Sequence, residues 1–282
     1  MQSGPSDGAV GRRVLLLGAA LAAATGGVAL LTRPQTPEPA AGTPRPTRHR
    51  YGDHPRQVGD LYRPAGASVG TTVMLHGGFW QAAYDLTLQD AVAADLAGRG
   101  WTVWNLDYRC VGDGGGFPAT FDDVRAGIAH LSRLDVDGDP VVLGHSAGGH
   151  LAAWAAGADT GPVRVRAAVP MAGVLDLTTA ARQGLGGGAV QSLMGGGPDE
   201  VPERYAVGDP VRRLPLDVPV RCVHGVDDTV VPLGQTTSYV AASVEAGGEP
   251  ATAVETPGGH FDALDPGTAM WRRTVEVLDG LR

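Results

Sequence analysis

The sequence contains no lysine: all 22 of its basic side chains are arginine, Ile128 is its only isoleucine and Asn105 its only asparagine. Such a bias follows from a GC-rich coding sequence and carries no chemical meaning. The basic residues show no clustering beyond the N-terminal region, and the formal net charge is -8. A surface that tracks phosphates needs grouped Lys or Arg, so nucleic acid is not expected as a partner. Cysteine is almost absent. Cys110 and Cys222 are expected on two different strands, with no second pair and no metal-ligand spacing; they read as free buried thiols, although an exported protein could pair them. His-x-x-x-His and His-Glu-x-x-His patterns are also missing, and the sparse His and Asp residues are not grouped. Neither a metal nor another cofactor is expected.

What the chain does have is apolar residues, 43% of 282, enough to cover both faces of a sheet. Its N-terminus stands apart. Arg12-Arg13 precede an uncharged apolar run at 14–31, followed by Arg33 and a segment rich in Pro, Thr and Ala up to about residue 50. That order of charge, apolar run and polar linker reads as a targeting segment over 1–33, either a cleaved signal or a retained membrane anchor, with an extended tether at 34–50. The paired arginines resemble a twin-arginine export signal, with Gly11 and Leu15 departing from its usual flanks. The expected location is outside the cytoplasm or anchored at the membrane's outer face.

From residue 51 onward, short β-rich runs alternate with Ala-rich helical patterns. The expected strands fall near 58–63, 71–76, 101–107, 140–145, 166–171, 219–224 and 251–256, and the expected helices near 87–98, 121–134, 147–157, 232–246 and 267–280. This alternation predicts an α/β fold, a mostly parallel, doubly wound sheet with helices on both faces. Residues 174–215 break the rhythm with Gly-rich and Pro-rich sequence, including Gly186-Gly187-Gly188 and Gly195-Gly196-Gly197. They read as a cap-like insertion of adaptable loops, not a second domain.

Three stretches carry chemistry. Gly144-His145-Ser146-Ala147-Gly148 sits between an expected strand and an expected helix, where a sharp turn needs glycines on either side of the serine. The turn presents Ser146 Oγ at a helix N-terminus, which favours negative charge. Its bland alternative is a structural Gly-Ser turn. His76-Gly77-Gly78-Phe79-Trp80 follows another expected strand. Its glycines would let backbone N–H groups of Gly77 and Gly78, with that of Ala147, meet an oxyanion, with Phe79 a further candidate donor. Trp80 could serve as a pocket wall or as simple packing; Phe79 and Phe117 are the other tentative pocket residues. A serine hydroxyl needs a base, and the base an orienting carboxylate. His260, after Pro257-Gly258-Gly259, is the candidate base, ahead of His145, His150 and His224. Asp228 is the candidate acid, with Asp227 its rival. The chain order Ser, Asp, His suits such a fold.

Together these motifs resemble the α/β-hydrolase superfamily over most of 53–282. The His-Gly-Gly-Phe-Trp loop and His260-Phe261-Asp262 are similar to those of kynurenine formamidases (arylformamidases) and of acetyl and feruloyl esterase-like hydrolases. The spacing from His224-Gly225 through Asp228 to Val231-Pro232 resembles the superfamily's H-G-x-x-D-x-x-V-P stretch, which places the acid at Asp228. The resemblance implies a serine hydrolase acting on a small ester, with formamide hydrolysis as the alternative. A serine peptidase or a non-catalytic binding protein on the same fold are remoter readings: no propeller domain is present to limit access, and no triad residue is lost.

Overall fold

The computed structural model describes residues 45–282. The expected signal or anchor at 1–33, its apolar run at 14–31 and most of the 34–50 tether lie outside the described residues. Among the described residues, no helix is long and apolar enough to cross a membrane.

Eight strands form one sheet: β1 (Thr47–Arg50), β2 (Val58–Tyr62), β3 (Gly70–Leu75), β4 (Trp101–Leu106), β5 (Val141–His145), β6 (Ala167–Met171), β7 (Arg221–Gly225) and β8 (Thr252–Thr256). Their order is β1-β2-β4-β3-β5-β6-β7-β8. Strands β3 to β8 run parallel, while β1 and β2 enter antiparallel at one edge. Each parallel crossover carries a helix, among them α7 (Gly234–Ala246) between β7 and β8, or the 174–215 insertion, as parallel pairing requires.

Side-chain alternation explains why both faces are covered. On β5, Val141 and Leu143 join a core built with Val92 and Leu96 of α1 (Asp90–Gly98) and Trp271, Val275 and Leu278 of α8 (Ala269–Asp279). Val142 points the other way, into a core shared with Phe121, Val124 and Ile128 of α2 (Ala119–Ala129) and Leu151 and Trp154 of α3 (Ala147–Ala155). This is the period-2 pattern of a strand buried on both faces. Helix α8 shows the helical counterpart: Met270, Trp271, Thr274, Val275 and Leu278 are buried, and Arg272, Arg273 and Glu276 are exposed. Thr268 caps it by accepting from the Trp271 N–H, and the Trp271 indole donates to Asp95 Oδ2 at 2.7 Å, which ties α8 to α1.

Three expectations need correction. The end of the 34–50 segment is not tether: Thr47–Arg50 pairs with β2, and the Arg48 guanidinium makes two 2.7 Å bonds to Asp60. The sequence Thr-Arg-His-Arg has no apolar alternation, and a polar edge strand is recognisable only from its partner. Cys110 lies in the loop after β4 rather than on a strand; it and Cys222 are both free and buried.

The third correction concerns 174–215, which is not a set of adaptable loops. It holds three short helices, α4 (Leu177–Arg182), α5 (Ala189–Met194) and α6 (Pro202–Gly208). Their Leu177, Ala180, Val190, Leu193, Met194 and Tyr205 are buried in the same core as α2 and α3. Asp209 receives the Leu177 and Thr178 N–H groups at 2.8 and 3.0 Å, satisfying the free donors at the start of α4. The glycines that suggested loops are the joints between these helices: Gly184, Gly186, Gly187, Gly188 and Gly195 all have positive φ.

Candidate active site

Ligands of open α/β sheets bind beyond the carboxyl ends of the strands. Here those ends deliver Gly77 after β3, Ser146 after β5, Asp228 after β7 and, past the last strand β8, His260.

Ser146 stands between β5 and α3 with φ 56 and ψ -116, a strained backbone for a residue with a Cβ. The packing around it explains why the turn is so tight. A Cβ on Gly144 would run into the Gly148 carbonyl, and one on Gly148 into the Leu75 carbonyl of β3. The Ser146 N–H donates to the Met171 carbonyl at 2.9 Å, which fixes the turn against β6. Ala147 opens α3, so its N–H has no acceptor within the helix.

His260 and Asp228 are joined directly, Nδ1 to Oδ2 at 2.7 Å, and both side chains are almost fully buried. The other carboxylate oxygen of Asp228 accepts the N–H groups of Val230 and Val231 at 2.8 and 2.9 Å. Burial alone would raise the Asp228 carboxyl, but hydrogen bonds from His224, His260 and the Val231 amide outweigh it and hold the group well below the usual carboxylate range. The rival Asp227 is exposed and does not reach the ring. Its N–H donates to Gly258 O at 3.0 Å and its Oδ2 accepts from Gly258 N–H at 3.4 Å, so it braces the base loop.

No hydrogen bond joins Ser146 Oγ to His260 Nε2 among the described residues; such contacts commonly tighten only when substrate is bound. The elbow and the base loop meet instead through the neighbouring side chain. His145 Nε2 lies 2.8 Å from the His260 carbonyl, with the two rings 4.5 Å apart.

The His76 loop closes the site from β3. A Cβ on Gly77 would lie 3.0 Å from both the carbonyl oxygen and Nδ1 of His145 and 3.3 Å from Ser146 Cβ, so only glycine allows this loop so close to the Ser146 turn. Gly78, Phe79 and Trp80 follow with φ of 105, 52 and 56. His76 holds the turn, with Nδ1 2.8 Å from Gly77 O and Nε2 3.0 Å from Asp107 Oδ1, its ring stacked 4.3 Å from Tyr108.

The expected pocket residues part company. Trp80 is 1% exposed and donates its indole N–H to His150 Nδ1 at 3.2 Å, so it is core packing and not an accessible wall. Phe79 is half-buried beneath the cap: a Cβ on Gly186 would fall 2.5 Å from its ring. Phe117 is half-buried against Phe121, its N–H bonded to Leu193 O at 2.7 Å, and Arg204 lies 6.0 Å over its ring. The aromatic ring beside His260 is Phe261, 64% exposed and edge-on to it at 5.2 Å.

Three histidines set aside in the sequence prove to be built into the site's frame. His224 Nε2 faces only acceptors, Val231 O at 3.0 Å and Asp228 Oδ2 at 3.3 Å, so it carries the hydrogen, and its Nδ1 lies 2.8 Å from the Thr236 hydroxyl. His150 accepts the Trp80 indole hydrogen at Nδ1 and donates from Nε2 to Gly208 O at 2.8 Å, tying the His76 loop to the cap. Burial pushes it down to about 4. Burial, with His260 nearby, pushes His145 down to about 3. Both rings are neutral at ordinary pH. The first of these contacts was within reach, since His224 stands four residues before Asp228; the other two span 115 and 58 residues.

The strand order, the strained serine between β5 and α3, and the later Asp and His loops define an α/β-hydrolase. Solved structures agree on the fold. A truncated carbohydrate esterase from gut microbiota superposes with a TM-score of 0.69 at 21% identity, covering 85% of this chain and 98% of that one. The esterase Est2 of Thermogutta terrifontis gives 0.67 at 22% identity, covering 85% and 92%. More specifically, the chain belongs to the BD-FAE family, whose model matches residues 60–242, a span that takes in Ser146 and Asp228 and stops short of His260. Among curated relatives, Esterase LipC of Mycobacterium tuberculosis (strain ATCC 25618 / H37Rv) is 30% identical over 267 residues, 82% of this chain and 65% of that protein. The chain spans between about half and two thirds of the length of the curated relatives it matches.

Proposed function

We propose that this chain is a serine hydrolase that cleaves carboxylic esters through an acyl-enzyme intermediate. The observation that carries the reading is the 2.7 Å bond from His260 to the buried Asp228, made where the elbow presents Ser146. Ser146 Oγ attacks the ester carbonyl and His260 Nε2 takes its proton. Asp228, kept ionised by its amide and histidine donors, holds the ring with Nδ1 protonated and stabilises the imidazolium that forms. The oxyanion meets the N–H groups of Gly77, Gly78 and Ala147, and His260 then passes its proton to the leaving alcohol. In the second half, His260 takes a proton from water as it attacks the acyl-serine carbonyl; the bond to Ser146 Oγ breaks, the carboxylic acid leaves, and His260 returns the proton to Oγ. The scheme uses only these groups and water, and the substrate is a small ester molecule.

The relation to Esterase LipC supports an ester over a formamide. The proximity of the cap to the His76 loop, through Gly186 and Phe79, favours small acyl groups, acetyl to butyryl. Hydrolysis of p-nitrophenyl esters of graded acyl length, run beside N-formylkynurenine with the full chain, tests the reading. We expect the highest kcat/KM within the acetyl-to-butyryl range; a higher value for N-formylkynurenine than for any ester would replace the esterase assignment with the formamidase one.

A further inference from the structure

We infer that His145, the variable residue of the Gly-x-Ser-x-Gly elbow, is a positioning residue that sets the base His260 against the nucleophile Ser146. The inference rests on the reading of His260 as base.

The need for such a device follows from how the base is mounted. His260 begins a short 3-10 turn (His260–Leu264) after Pro257-Gly258-Gly259, and Gly258 has φ 120, so the preceding chain is intrinsically soft. The imidazole is held at Nδ1 by Asp228. A ring held at one nitrogen can still swing about that bond, moving Nε2 toward or away from Ser146, unless its own backbone is fixed. The other hydrogen bonds on this loop come from its own residues, from the acid's loop and from the start of α8: Gly259 N–H to Asp262 Oδ2 at 3.2 Å, the reciprocal pair between Asp227 and Gly258, and the Thr268 hydroxyl to Asp262 O at 2.6 Å. None of them reaches the serine turn.

His145 supplies the missing coordinate. It is the last residue of β5 and directly precedes Ser146, whose own N–H is anchored to Met171 O. Its ring reaches the base loop, where Nε2 lies 2.8 Å from the His260 carbonyl and the two imidazoles lie 4.5 Å apart at 49°. A carbonyl only accepts, so Nε2 carries the hydrogen and donates. Among the described residues Nδ1 is buried without a hydrogen-bond partner and faces Gly77, where a Cβ would come within 3.0 Å. No acceptor among them stands there for the N–H that a second proton would create. The ring therefore stays neutral, in keeping with its strongly lowered basicity, and places no positive charge beside the imidazolium that His260 becomes. A hydrophobic side chain would fill the space without the donor. A cationic one would supply a donor and oppose the intermediate.

The test separates donor from filler. His145→Gln keeps an N–H that can reach the His260 carbonyl, and His145→Phe keeps a ring of similar size without one; His145→Leu is a second variant lacking the donor in case the phenylalanine protein fails to fold. For p-nitrophenyl acetate we expect the donor-less proteins to lose about 10²-fold in kcat, the scale of a misplacement near 1 Å, with KM changed less than about 3-fold and a folded thermal transition. His145→Gln should stay within about 5-fold of the parent kcat. Equal losses in the glutamine and donor-less proteins, or no loss in the latter, would overturn the inference. His260→Ala, run alongside, keeps the two readings apart. If it retains the parent rate, His260 is not the base and the inference falls with that reading. If it is inactive while the His145 variants behave alike, only the positioning role is overturned.

Discussion

The loops at the strand ends and the cap are held together by different physics. At the strand ends, each reactive side chain is fixed by polar contacts: Asp228 by two amides and two histidines, His260 by Asp228 and His145, and the Ser146 backbone by Met171. In the cap, three short helices press Leu177, Leu193, Met194 and Tyr205 into the core and turn on left-handed glycines. Hydrogen bonds fix atoms to fractions of an ångström and fail when one donor is lost. Apolar packing fills volume, tolerates repacking and responds mainly in stability. Chemistry should thus depend on the first region and substrate fit on the second.

The sharpest break of this comparison is at the acid. Asp228→Asn should lower kcat by about 10⁴-fold, the scale seen when a triad carboxylate becomes an amide and the base is left in the wrong tautomer. Asp227→Asn, which touches only Gly258, should cost far less. Steady-state kinetics of both proteins check it, and a larger loss in the Asp227 variant would move the acid by one residue.

His150 joins the two regions, and acid should part them. Its folded value lies near 4 against about 6.5 in the unfolded chain. Between these values the unfolded state binds a proton that the folded state refuses, so stability falls as the pH drops from about 6.5 to 4, by about 2–3 kcal/mol from this group. His145 adds to the same trend. Melting temperatures from pH 7 to 4 should therefore fall less steeply for His150→Gln than for the parent, and equal slopes would remove His150 from the account.

A smaller effect belongs to the cap. Gly186 has φ 62, and an added Cβ would press on the Phe79 ring. Gly186→Ala should cost about 1–2 kcal/mol in the left-handed conformation and raise KM for butyryl esters by several-fold with kcat nearly unchanged, which is the signature of altered uniform binding. A fall in kcat with constant KM would show that the cap shares in the chemistry.

The same division decides what could be read in the sequence. Ser146, Gly77 and Gly78 lie in local patterns, a strand, a glycine turn and a helix start, whose physics is contained within a few residues. The seven expected strands appear within about two residues of their places for the same reason. Asp228 was legible through the resemblance of the stretch from His224 to Pro232 to that of the superfamily. His145 and His150 were not, because their partners lie 115 and 58 residues away and a histidine in sequence does not reveal which carbonyl it will meet. The cap helices were hidden by the glycines that join them, and β1 by its lack of apolar alternation. Trp80 was misread in part because an aromatic beside an oxyanion loop suggests a pocket, whereas its indole hydrogen is spent on His150.

If Ser146 is the nucleophile, a reagent that traps activated serines should capture it covalently. The full-length protein is treated with a fluorophosphonate, weighed intact, and mapped by peptide mass spectrometry. One adduct is expected, on the peptide carrying Ser146, and none on Ser146→Ala protein with an unchanged thermal transition. An adduct on another serine, or undiminished labelling of the Ser146→Ala protein, would contradict it.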